Sequence, residues 1–185
     1  NRYGEAIGVY ERALEMLRAV PDANPLYTAR VHVSLGRSNE IQGQLQEAVR
    51  AYRSSLDILD RHQLSVPDGH RAIILNLARV LAKLKDYNAA IPYFEQARDA
   101  ANDWGTPQEV GNITRELAEA ERDGGRLQQS LQTYEDALAF LTDEFPQDRA
   151  VTRRSQGQAL YRASQFEAAR DAWNEALALV GEDDP

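Results

Sequence analysis

A signature of alanine, an aromatic four residues on, and a second small residue three beyond that recurs five times along this chain. It falls at Ala6/Tyr10/Ala13, Ala48/Tyr52/Ser55, Ala90/Phe94/Ala97, Ser130/Tyr134/Ala137 and Ala169/Trp173/Ala176. The starts are separated by 42, 42, 40 and 39 residues. Steps of four and three put all three positions on one helical face. Small residues on either side of a ring let a neighbouring backbone come close while the ring fills the gap. A period of this length means stacked helix pairs, because a single pair cannot bury both of its faces.

Residues 71–97 show the unit most clearly. Ile74, Leu77, Ala78, Leu81 and Leu84 recur at helical steps, Lys85-Asp86 forms a polar break, and Tyr87 restarts the apolar pattern. Before four of the five signatures stands a first helix with a pair ending in a small residue: Leu35-Gly36, Leu77-Ala78, Leu117-Ala118 and Gln156-Gly157. Pro21 and Pro25, Pro67, Pro107 and Pro146 lie between a second helix and the next first helix, where proline ends one helix and suits the opening turn of another. Gly43 and Asp123-Gly124-Gly125 mark turns within pairs. The predicted helices are 2–19, 26–43, 45–62, 69–85, 87–103, 107–123, 127–143, 147–163 and 166–181. They form a single array over 1–185: an orphan second helix and then the pairs 26–62, 69–103, 107–143 and 147–181. Inner positions are all apolar in the second pair, whereas Asn39, Glu121 and Gln156 occupy inner positions elsewhere. The open ends are expected to expose Ala6, Tyr10 and Ala13 on one side and Leu177, Leu179 and Val180 on the other.

Several functions are disfavoured by composition. A net charge of −8 argues against a nucleic-acid surface. The absence of cysteine removes disulfides and thiolate metal sites. His32, His62 and His70 are not spaced as metal ligands on one face, and no phosphate loop or nucleophile elbow occurs, so neither an enzyme nor a cofactor is expected. The longest apolar stretch, 73–84, is interrupted by Asn76, Arg79 and Lys83, so membrane insertion is not expected. The chain begins at Asn1 inside a helical pattern and so reads as a fragment, with a cytoplasmic location expected.

The order Leu-Gly, aromatic, Ala-x3-aromatic-x2-Ala resembles the tetratricopeptide repeat over nearly the whole chain. The long period, with Asn76-Leu77-Ala78 followed by Asp86-Tyr87 and Ala90, is similar to the kinesin light-chain form. The resemblance implies an all-α, right-handed superhelical solenoid of helix hairpins whose first helices line a concave groove. It implies a non-catalytic scaffold that binds a partner protein through a peptide or helix in that groove. The groove positions carried over are Arg30, Val33, Ser34, Arg37 and Ile41; Leu75, Asn76, Arg79 and Lys83; Asn112, Arg115, Glu119 and Arg122; and Val151, Arg154, Gln158 and Tyr161. Val33 and Leu75 stand where a carboxylate clamp needs polar side chains, so a clamp for a peptide C-terminus is not expected. The arginines and amides suit an extended, acidic peptide. Two other roles fit the same resemblance: a sensor domain that controls an attached output domain, and self-assembly through the open ends.

Overall fold

The computed structural model describes residues 2–64 and 67–181, and among them there are nine α-helices and no strand. They are α1 (Arg2–Ala19), α2 (Pro25–Ile41), α3 (Leu45–Arg61), α4 (Pro67–Lys83), α5 (Tyr87–Trp104), α6 (Pro107–Asp123), α7 (Leu127–Phe140), α8 (Pro146–Arg162) and α9 (Phe166–Val180). Each coincides with a predicted helix to within a few residues. Ser65 and Val66, in the linker before Pro67, and the acidic stretch Glu182-Asp183-Asp184 lie outside the described residues.

Proline sets the starts of the first helices, as the linkers imply. Asn24 precedes Pro25 and its side-chain oxygen accepts from the Leu26 N–H at 2.9 Å. Thr106 precedes Pro107 and accepts from the Glu109 N–H at 3.2 Å. Each cap satisfies one of the N–H groups that a helix start leaves open.

The turns inside pairs share one geometry. Gly43, Lys85, Gly125 and Ser164 all have φ between 61° and 83°. In each turn the next N–H reaches back across it: Gln44 to Asn39, Asp86 to Leu81, Arg126 to Glu121 and Gln165 to Leu160, at 2.8–3.0 Å. This is the Schellman closure, which uses up a helix's last free carbonyls. Two of the four turns place a non-glycine residue there, at a cost of about 1 kcal/mol each.

Compactness divides the chain into two units, residues 1–93 and 94–185, with the division inside the sequence of α5. In the first unit α1 packs on α2, α2 on α3 and α3 on α4. Its core includes Ala48, Tyr52, Leu59, Ile73, Leu77 and Leu81. In the second unit α6 packs on α7, α7 on α8 and α8 on α9, with a smaller contact between α6 and α8. There Ala118, Tyr134 and Ala159 form a buried cluster, covered by Leu131.

In two hairpins the glycine of the first helix meets the ring of the second. A Cβ built on Gly36 would lie 2.7 Å from the Tyr52 ring, and one on Gly157 would lie 2.3 Å from the Trp173 indole. Tyr52 is fully buried, whereas Trp173 is half-buried. Gly36→Ala should therefore cost about 1–3 kcal/mol by overpacking. Gly157→Ala should be near neutral, because Trp173 has room to tilt and alanine is the better helix former by about 1 kcal/mol. Denaturant titration of both variants checks this, and equal losses would show that the two rings are equally confined.

Two expectations need correction. Helix α7 ends at Phe140 and not at residue 143: Leu141 leaves the helix with ψ of 80° and is fully buried, and its carbonyl accepts from Arg149 at 2.7 Å. On α1 the signature residues Ala6, Tyr10 and Ala13 are half-buried, and the exposed apolar side chains are instead Tyr3, Val9, Met16 and Val20. At the other end Leu177 and Val180 are exposed as expected, while Leu179 is half-buried.

Candidate functional site

Five of the predicted groove positions, Arg30, Val33, Ser34, Arg37 and Asn76, meet in the first unit. Helices α2, α3 and α4 line an open groove of about 430 Å³. Its apolar lining comes from Leu26, Ala29 and Val33 on α2, Leu59 on α3, and Ala72 and Ile73 on α4. The Ser55 hydroxyl on α3 donates to the Ala29 carbonyl at 3.0 Å, so the buried hydroxyl is satisfied within the floor. Arg30 and Arg37 stand on one side, both exposed, seven residues apart on α2. Two helical turns separate them, about 10 Å along the axis. Asn76, half-buried, faces the same space from α4. Sequence reasoning did not find the floor residues Ser55, Leu59, Gly69 and Ala72. The one available signal was Ser55 in place of the second alanine.

Lys83 belongs to a different arrangement. Its Nζ lies 2.6 Å from Glu40 on α2, whose other carboxylate oxygen accepts from the Tyr52 hydroxyl at 3.3 Å. Burial, reinforced by the Glu40 charge, pushes the Tyr52 phenol well above its ordinary value, so it remains a donor. Lys83 thus straps α4 to α2 and α3. Arg79 is exposed elsewhere on α4, and Ile41 is exposed at the end of α2.

In the second unit Arg115, Arg122 and Gln158 are tied to side chains of the same unit. Arg115 donates to Glu119 at 2.8 Å, and the same carboxylate oxygen accepts from Ser155 on α8 at 2.9 Å. Arg122 donates to Asp123 at 2.9 Å, to Gln158 at 3.1 Å and to the Tyr134 hydroxyl at 3.3 Å. Arg162 reaches Asp123 at 2.7 Å. Burial by itself would raise the Asp123 carboxyl, but hydrogen bonds and charge from Arg122 and Arg162 hold it below its ordinary value. This network joins α6 to α7 and α8, so Arg115, Arg122 and Gln158 hold helices together. Asn112 is half-buried on α6. Tyr161 is exposed, with its ring edge-on to Phe166 at 5.3 Å and tilted against Trp173 at 6.1 Å. Arg154 is exposed beside a separate apolar cavity of about 360 Å³ between α8 and α9.

Among the described residues no helix is long and apolar enough to cross a membrane, and no group of three or more His, Asp or Glu side chains could hold a metal ion. Repeated helix pairs with a ring-on-small-residue seam define an all-α helical-repeat solenoid. The chain belongs to the tetratricopeptide repeat family, whose repeat model matches residues 1–61 and 70–143. Tetratricopeptide repeat proteins are in general non-catalytic interaction scaffolds. No curated protein sequence matches the chain significantly. Among solved structures, the kinesin light chain-like repeats of Podosopora anserina superpose with a TM-score of 0.81 at 18% identity, covering 96% of this chain and 87% of that one. YrrB, described as a tetratricopeptide repeat protein with an unusual peptide-binding site, gives 0.71 at 17% identity, covering 99% and 80%. The Rap conjugation gene regulator of plasmid pLS20, solved with its Phr peptide, gives 0.62 at 20% identity, covering 97% and 49%. At these identities the likeness is one of fold.

Proposed function

We propose that this chain is a peptide-binding scaffold and that the groove of α2, α3 and α4 receives an extended, acidic segment of a partner protein. The observation that carries the reading is an apolar floor beside two exposed guanidinium groups two turns apart. An apolar side chain would enter between Val33, Leu59 and Ile73, and carboxylates on either side of it would meet Arg30 and Arg37. Arg pairs with carboxylates in a bidentate way, which favours it over a point charge. Asn76 offers an amide donor and acceptor to the peptide backbone, as extended-peptide recognition requires. The peptide-binding titles of YrrB and the Rap regulator, which share this fold, support the same class of ligand.

The test is fluorescence anisotropy with labelled extended peptides that carry Asp or Glu on both sides of one aliphatic residue. Arg30→Glu with Arg37→Glu should weaken binding about tenfold or more, that is about 1.4 kcal/mol or more. Added salt should also weaken it, because exposed ion pairs are screened. Asp136→Lys with Asp171→Lys, on exposed positions of α7 and α9, should leave affinity unchanged while altering net charge in the opposite sense. If that pair changes binding and the arginine pair does not, the groove reading is lost.

A further inference from the structure

A second cleft lies on the other side of α2, between α1 and α3, with a volume of about 320 Å³. Asn39, 4% exposed, and His32 both line it. The Nδ1 atom of His32 is buried and has no hydrogen-bond partner. Buried polar atoms of this kind are nearly always satisfied, so one that opens on a cleft calls for a ligand.

The second unit holds an arginine at the equivalent place. Its equivalent of His32, four residues before the glycine that meets the ring, is Arg153, four before Gly157. Its equivalent of Glu11, which follows the ring residue Tyr10, is Glu135, which follows Tyr134. Ser54, two after Tyr52, corresponds to Glu175, two after Trp173. In that unit the Arg153 guanidinium lies 3.2 Å from Glu135 and 2.8 Å from Glu175, and it donates to Gln156 at 2.8 Å, joining α7, α8 and α9. The first unit keeps the matching carboxylate, Glu11, and replaces the arginine with a shorter histidine. Asn39 widens the space further, because Leu81 and Leu160 stand at its equivalents.

The charges at the cleft agree with an empty guanidinium position. Glu47 is taken up by Arg50, while Glu11 has no ion-pair partner among the described residues. Burial, with the Arg18 charge nearby, holds His32 below its ordinary range, so its ring is neutral at pH 7 and its Nδ1 can accept a hydrogen bond.

We propose that this cleft receives an arginine side chain of a partner protein, supplying from outside the guanidinium that Arg153 supplies from within the second unit. Glu11 binds its charge, and His32 and Asn39 accept its remaining N–H groups. The site is separate from the peptide groove and does not depend on it, since no residue lines both.

The probe is N-acetyl-Ala-Arg-Ala-amide, titrated into the full chain and followed by amide NMR. Saturable shifts are expected around Glu11, His32, Asn39 and Ser54, with a Kd of about 0.1–1 mM, suited to one side chain. The corresponding lysine peptide should bind at least about fivefold more weakly, for want of the planar fork. Glu11→Gln should weaken the arginine peptide about fivefold or more. His32→Arg should abolish its shifts and raise the Tm by about 2–4 °C, by filling the cleft internally. Equal binding of the lysine peptide, or no effect of Glu11→Gln, would overturn the proposal. The exposed Glu11 position keeps the fold intact, so that variant decides the matter should His32→Arg fail to fold.

Discussion

Replacing Phe94 with alanine should lower the unfolding free energy by about 3–5 kcal/mol, the range for deleting a buried aromatic. Phe94 is 2% exposed, and its signature neighbours Ala90 and Ala97 are fully buried. The loss therefore includes the transfer of the ring and the cavity it leaves, because alanines on either side carry too little side chain to collapse into it. The matching change at Tyr10 should cost clearly less. Tyr10 is half-buried on α1, where Leu14 alone among the described residues of that helix is buried. Urea titration of the two variants, compared at constant m-value, gives the answer. Equal losses would mean that α1 is as firmly held as the middle of the chain.

A change in the opposite direction is expected at Glu121. This carboxylate is 1% exposed on α6, at the position that Leu81 and Leu160 fill elsewhere. Burial raises its pKa; the Thr133 hydroxyl hydrogen-bonds it and counters part of that shift, and Glu95 adds to it. One of its oxygens has no partner. A carboxyl whose folded pKa is raised binds its proton more tightly in the folded state. Its ionisation therefore penalises folding above the folded pKa, and the penalty fades as pH falls through that pKa towards the ordinary value. Glu121→Leu should accordingly stabilise the protein by about 1–3 kcal/mol at neutral pH. The gain should shrink on acidification. Thermal unfolding of both proteins across the acid range tests the sign. A gain that is flat with pH would assign the effect to packing and not to charge.

Much of the fold was legible because the informative residues are small or aromatic at fixed steps. Ala48, Ala90 and Ala169 admit a neighbouring backbone whatever the surroundings, and all three are fully buried. Prolines and left-handed turn residues bound the helices locally, with no need of tertiary information. The end of α7 was not legible, because it depends on Leu141 packing where a Cβ on Gly111 would meet it at 2.6 Å, thirty residues away in sequence. The site divides in the same way. Arg30 and Arg37 share a face of one helix, which spacing reveals. The Arg115–Glu119 pair was visible as an i, i+4 step. The commitment of Arg122 to Gln158, and of Asp123 to Arg162, joins helices α6 and α8 and had no local trace. The open space beside His32 was likewise hidden, since an unfilled volume has no residue to announce it.

The seam between ring and small residue also bears on how such a chain can evolve. Glycine stands opposite Tyr52 and Trp173, and alanine packs with Tyr134. Ring and small residue lie sixteen positions apart, on opposite sides of a turn. A crossover that falls in the turn would mix partners of different repeats, for example Ala118 with Tyr52. The crowding already present at Gly36, against a fully buried ring, disfavours that combination. Exchanges cut at the prolines between pairs keep both partners together. Duplication and shuffling of this gene should therefore leave breakpoints in the linkers and spare the hairpin tips, even though both are exposed polar turns.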